Sequence, residues 1–201
     1  MSGGGILALD IASNTGFAVT NEAYVASWRP RTLLEGPRTA KPEGLWSGSR
    51  RLAIEGSKHA AYFAGMRRWL DDMLKVYAPA EIAIEAPMPN GRNADADRRI
   101  LGLIAHVEEI AFSRQIELTY HGLSTVKKFA AGFGNAVKGD MVRSAKLMGW
   151  NPKSNDEADA LWVLEKRLHD RFIFINRNQR LPGGGKLIGV AVPRSGDPFA
   201  G

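Results

Sequence analysis

Cysteine is absent from this chain of 201 residues, which excludes disulfides and thiolate metal sites and fits a reducing compartment. No apolar run approaches the ~18 residues that a membrane span requires. The N-terminal MSGGG lacks the basic and apolar regions of a signal peptide. A soluble, cytoplasmic protein with no membrane partner is expected. There is also no internal repeat, which sets aside solenoids and propellers.

What is present is enough apolar material for one sizeable core, since 44% of the residues are hydrophobic and the length suits a single domain. The net charge of +6 raises the expectation of a polyanionic partner. Its distribution is uneven. Residues 29–58 hold seven basic side chains (Arg29, Arg31, Arg38, Lys41, Arg50, Arg51, Lys58) against three acidic, and residues 171–201 hold five (Arg171, Arg177, Arg180, Lys186, Arg194) against one. Each segment is +4, which leaves the rest of the chain at −2. Charge runs of this kind are often only solvated loops, so a second signal is needed.

Periodicity supplies the organisation. The runs ILALDIA (6–12), TGFAVT (15–20) and AYVASW (23–28), separated by SN and NE, read as three strands in an antiparallel meander. The Pro-, Gly- and charge-rich stretch that follows reads as an irregular basic insertion at about 29–50. Apolar residues at helical spacing predict a helix within 51–77, closed by Pro79. EIAIEAP (81–87) reads as a buried strand and Ile100 to Ala111 as a second helix. IELTYH (116–121) reads as a further strand, followed by short helices near 123–131 and 139–149. A final helix is expected from about 155 to 170. The order is βββαβαβ, then helices, which predicts an α/β domain over 1–174 and a flexible basic tail over 175–201.

Three places carry acids that stability alone does not explain. Asp10 ends the run ILAL, and Glu85 ends EIAI. A carboxylate in such a place must be protonated, paired or metal-bound, because leaving its charge bare costs several kcal/mol. The third place is NDEADALW (155–162), where Asp156 and Asp159 are three apart and share a helix face. Glu157 is turned by ~100° toward the side of Leu161, Leu164 and Leu168. The plainer readings are a helix-start carboxylate for Asp156 and an arginine partner for Glu85.

Taken in order, ILALDIASNTGFAV, IAIEAP, VKKFAAGFGNAVKGDMV and DEADALW resemble the RuvC-type Holliday junction resolvases of the RNase H-like nuclease superfamily. The resemblance covers roughly residues 5–168. It implies a five-stranded mixed sheet, the first three strands antiparallel, flanked by helices. It implies that Asp10, Glu85, Asp156 and Asp159 hold two Mg2+ ions, with Mn2+ a substitute, and that Asp10 bridges them. It also implies that Lys127 acts at the scissile phosphate. Lys127, Lys128, Lys138, Gly132 and Gly134 fall in the DNA-binding segment, to which Arg50 and Arg51 of the basic stretch are added. The implied activity is a magnesium-dependent endodeoxyribonuclease that resolves four-way junctions or other branched DNA, working as a homodimer because two symmetric cuts are needed. The insertion, the tail and the short core fit a bacteriophage branch acting in a bacterial or infected cell.

The chemistry accounts for the carboxylates. Phosphodiester hydrolysis needs a nucleophilic water near neutral pH and stabilisation of both the attacking and the leaving oxygen, which two ions about 4 Å apart provide. Hard oxygen ligands suit magnesium. His59, His106, His121 and His169 show no metal-ligand spacing. Trp28 and Trp46 bracket the basic stretch, either anchoring it or stacking on unpaired bases. Two other readings stand beside this one. DIASNTG also resembles the first phosphate loop of actin- and hexokinase-type ATPases, although those need a second comparable domain. A catalytically silent DNA-binding scaffold on the same fold is the third, and it leaves four buried acids without a purpose.

Overall fold

The computed structural model describes residues 4–30, 41–86, 91 and 93–178. Five strands form one sheet in the order β3-β2-β1-β4-β5. β1 (Ile6–Asp10), β2 (Asn14–Thr20) and β3 (Leu45–Arg51) are antiparallel neighbours, whereas β4 (Glu81–Glu85) and β5 (Glu117–His121) run parallel to β1. The helices are α1 (Glu22–Ser27), α2 (His59–Tyr77), α3 (Ala94–Ser113), α4 (Leu123–Ala131), α5 (Lys138–Leu147) and α6 (Asn155–Asn178). Among the described residues no helix is long and apolar enough to cross a membrane.

Both faces of the sheet are covered, and the strands sort their side chains by the alternation of the pleat. Leu7, Leu9, Ile82 and Ile84 enter a core with Leu70 of α2 and Val107 of α3. Ile6, Ala8 and Ala83 enter a second core with Leu161 and Leu164 of α6, Val126 of α4 and Met141 of α5. Strands buried on both faces read as continuous apolar runs rather than alternating ones, which is the pattern of ILAL and IAI.

The meander differs from the expectation in one element. AYVASW is not a strand but helix α1 with its flank. The side chain of Asn21 accepts from the Tyr24 N–H at 2.8 Å, Glu22 sits in the first turn, and Tyr24 and Trp28, four apart, are buried together. The third strand is instead β3, inside the stretch taken for an irregular insertion. It is an edge strand whose sequence, LWSGSRR, buries mainly Leu45, so it carries no apolar run to announce it. Of that insertion, residues 31–40 lie outside the described residues, and Leu45–Arg51 belongs to the sheet.

Other boundaries move less. α2 begins at His59, and β3 extends to Arg51. α6 continues to Asn178, so the expected end of the domain at 174 falls inside a helix. The remaining tail, 179–201, lies outside the described residues. Trp28 anchors the start of the basic stretch: it is buried, donates to Glu165 at 3.0 Å and packs edge-on against Phe172. Trp46 is half-exposed on β3 and leans on Tyr77 with ring centres 5.4 Å apart.

Candidate active site

β1 ends on Asp10 and β4 on Glu85. The parallel register pairs Leu9 with Ile84, so the two acids are the next step along adjacent strands. Because Leu9 and Ile84 point into the α2/α3 core, Asp10 and Glu85 point to the opposite side, toward α6. They lie at the carboxyl ends of parallel strands, where open α/β sheets bind their ligands.

The first turns of α6 bring the other two acids to this edge, and three local features seat them. Gly16 is the antiparallel partner of Asp10. A Cβ on Gly16 would stand 1.8 Å from the Asp156 carbonyl oxygen, so only glycine permits the helix to approach. The Asn14 amide donates to the Asp156 carboxylate at 2.5 Å. Ser154 caps the helix by accepting from the Glu157 N–H at 3.1 Å. Glu157 itself is buried. It accepts from the Lys153 N–H at 2.8 Å and from the Ser47 hydroxyl at 2.5 Å, while Ser47 in turn accepts from Lys41 at 2.6 Å. Its carboxylate is therefore committed to fixing the start of α6 against β3.

The electrostatics show that the four acids act on one another. Burial, then the charges of Glu85, Asp159 and Asp156, hold the Asp10 carboxyl well above the ordinary range, against the pull of Lys138. Burial and Asp159 push Glu85 up to about 7, opposed by Lys127. Burial raises Asp159 to about 6, with Asp156 adding and Lys138 and Lys127 opposing. Oδ1 of Asp159 is buried without a hydrogen-bond partner. Among the described residues no ion pair neutralises Asp10, Glu85, Asp156 or Asp159. Nor do three His, Asp or Glu side chains converge there tightly enough to enclose an ion as they stand.

This donor set fits hard divalent cations. It consists of carboxylate oxygens, one of them orphaned, in a partly buried place where mutual repulsion leaves a deficit of positive charge. Lys127 on α4 and Lys138 at the start of α5 are the cations that face it. Lys138 is unfavourable at a helix N-terminus, and its attraction to Asp10 and Asp159 offsets that cost.

The remaining sequence candidates surround this edge. Lys128 is exposed on the last turn of α4, Gly132 closes that helix with φ +90°, and Gly134 packs against the Ser124 carbonyl. Arg50 and Arg51 end β3 opposite Thr15 and Asn14, which places them at the same end of the sheet as Asp10. Arg51 also pairs loosely with Glu55 at 4.0 Å. His121 lies opposite Glu85 in the register of β5 and is buried. Burial lowers its imidazole to about 4 against the pull of Asp170, so it is neutral at pH 7. Sequence reasoning missed Asn14, Gly16 and Ser47. The first two stood in plain view in SNTG, but only the packing of α6 shows what they do.

No family model and no curated protein matches the sequence. Solved structures do match. The chain is similar to Thermus thermophilus RuvC, with a TM-score of 0.61 and 17% identity over 84% of this chain and 96% of that one. It is similar to T. thermophilus RuvC in complex with a Holliday junction substrate, with a TM-score of 0.62 and 17% identity over 84% and 95%. It also resembles the yeast mitochondrial Holliday junction resolvase Ydc2, with a TM-score of 0.52 and 10% identity over 86% and 83%. The chain therefore has the RNase H-like fold of the RuvC-type resolvases, with the mixed five-stranded sheet that its motifs led us to expect.

Proposed function

We propose that this chain is a divalent-metal-dependent endonuclease that cuts Holliday junctions or other branched DNA. The observation that carries the reading is that four carboxylates from three separate elements act on one another at the carboxyl end of the sheet, with no arginine paired to them among the described residues and two lysines on their rim. Of the similar solved structures, one is named as a Holliday junction resolvase and another is RuvC in complex with a Holliday junction substrate, which supports the same chemistry on this fold.

In this reading Asp10, Glu85, Asp156 and Asp159 hold two Mg2+ ions, which when bound make water acidic enough to attack at neutral pH and stabilise charge on the leaving oxygen. The protein's own groups do the rest. Asn14 and the Ser154 cap hold Asp156 in place, and Gly16 fixes the distance between α6 and the sheet. Lys127 and Lys138 neutralise the phosphate that approaches the acids. Lys128, Arg50 and Arg51 extend the cationic rim along the DNA backbone. Two symmetric cuts across a four-way junction call for two copies of the site, hence a homodimer.

The test is cleavage of a synthetic four-way junction beside a linear duplex of the same sequence, with Mg2+ and with EDTA, by the native protein and by Asp10→Asn. Paired nicks in the junction that need metal and Asp10 support the proposal. Tight binding of the junction without any cut would replace it with a silent scaffold.

A further inference from the structure

The segment between α4 and α5 presents a side chain that the nuclease reading does not use. Phe133 is 47% exposed, and among the described residues its ring stacks on no other aromatic. Of the other exposed aromatic side chains, Tyr120 bonds Glu108 and Trp46 leans on Tyr77, while Phe112 and Phe174 lie near the C-terminal ends of α3 and α6, away from the acids. The loop that carries Phe133 is nonetheless built firmly. The Gly132 N–H closes α4 on the Lys128 carbonyl at 2.9 Å, and the Ala136 N–H turns back to the Phe133 carbonyl at 3.4 Å. Ala136 is fully buried, and the Val137 N–H is capped by Asp140 at 3.1 Å. A Cβ on Gly134 would meet the Ser124 carbonyl at 3.3 Å. The ring is thus held out to solvent by an anchored turn.

Its surroundings define what it would meet. From Gly122 to Gly139 the chain has three lysines and no acidic residue. Lys127 and Lys138, on either side of Phe133 in sequence, are the cations felt by Glu85, Asp159 and Asp10. An exposed aromatic face on a cationic rim matches a nucleobase attached to a phosphate backbone, with the ring stacking and the lysines neutralising. Inside a duplex both faces of a base are already covered, so a stacking side chain gains most where a base has left the helix.

We propose that Phe133 stacks on an unstacked nucleobase beside the cleaved phosphate, and that this contact biases the site toward branch points. The inference rests on the nuclease reading above and deepens it. Phe133 selects the DNA, and the acids cut it.

The test compares the native protein with Phe133→Trp, Phe133→Leu and Phe133→Ala, each confirmed folded by circular dichroism. Two quantities are read. One is the junction concentration giving half-maximal cleavage. The other is the fluorescence of 2-aminopurine placed in turn at each position flanking the cut, measured on bound junction in the Asp10→Asn background. Loss of the ring should raise the half-maximal concentration about ten-fold, with a smaller change in maximal rate. It should also abolish quenching at one 2-aminopurine position, and Trp should preserve both while Leu does not. A leucine variant equal to the native protein overturns the inference. So does an alanine variant that changes the oligomeric mass while leaving the fluorescence intact, since Phe133 would then be holding a second copy. A native protein that neither binds nor cuts DNA overturns the nuclease reading and this inference together, whereas normal junction cutting by the leucine variant overturns this inference alone.

Discussion

Strand β4 carries a glutamate at each end, and the two meet opposite fates. Both face α6. Glu81, at the start, is buried at 2% exposure and is held by Arg167, by Arg171 at 3.8 Å and by the Thr119 hydroxyl at 3.1 Å. Glu85, four residues on, meets Asp10 and Asp159 instead, and burial with the neighbouring aspartate pushes its carboxyl up to about 7. The same residue type on the same strand face is neutralised at one end and left in surplus at the other. Breaking the first arrangement would strand buried guanidinium groups, whereas the second costs stability as it stands, and under the proposed function that is where a cation would be held.

The sharpest way to break this comparison is to exchange both glutamates. Glu85→Gln should lower junction cleavage by about a thousand-fold or more, because a group that supports several kcal/mol of charge stabilisation is lost, while the protein remains folded. Glu81→Gln should leave cleavage per folded molecule within a few-fold. It should instead cost about 3–5 kcal/mol, the penalty for stranding buried guanidinium groups, seen as a melting temperature lower by roughly 10 °C. Equal effects of the two exchanges on cleavage would erase the distinction.

The second prediction concerns pH. Glu85 and Asp159 have ordinary values of 4.5 and 3.8 and rise to about 7 and about 6 in the folded chain. A carboxyl raised in this way binds more protons folded than unfolded, so its contribution is complete below the ordinary value and lost as pH rises through the folded one. Metal-free protein should therefore lose melting temperature as pH rises from about 4 to 7. Mg2+ should restore more of it at pH 8 than at pH 5, and Glu85→Gln should flatten the slope. A metal-free melting temperature independent of pH over this range would contradict the crowding of the acids.

The smallest effect should separate neighbours on α6. Asp156→Asn should nearly abolish cleavage. Glu157→Gln should reduce it by less than about ten-fold, because the amide oxygen can still accept from the Lys153 N–H while the amide NH2 donates to the Ser47 hydroxyl, bonds of about 1 kcal/mol each. Matching losses would mean that Glu157, too, works at the cut.

The acids were legible because they interrupt apolar runs, and a buried charge is the costliest exception a strand can carry. The helix face of Asp156 and Asp159 was legible from spacing alone. β3 was not, since an edge strand with one solvated side needs no apolar run, and LWSGSRR offers none. α1 was misread because Tyr24, Val25 and Trp28 form a stripe too short to distinguish helix from strand, and only the Asn21 cap decides it. The partners of Glu81 were beyond sequence reasoning for a different reason. Arg167 and Arg171 lie 86 and more residues away, so nothing local tells which glutamate of EIAIE is paired with arginine and which faces other acids.

The most direct measurement is calorimetric titration of Mn2+ into the metal-free native protein, Glu81→Gln and Glu85→Gln at neutral pH, without DNA. The account predicts saturable binding by the native protein and by Glu81→Gln, and its loss in Glu85→Gln. Unchanged binding by Glu85→Gln, or no binding by the native protein, would contradict it.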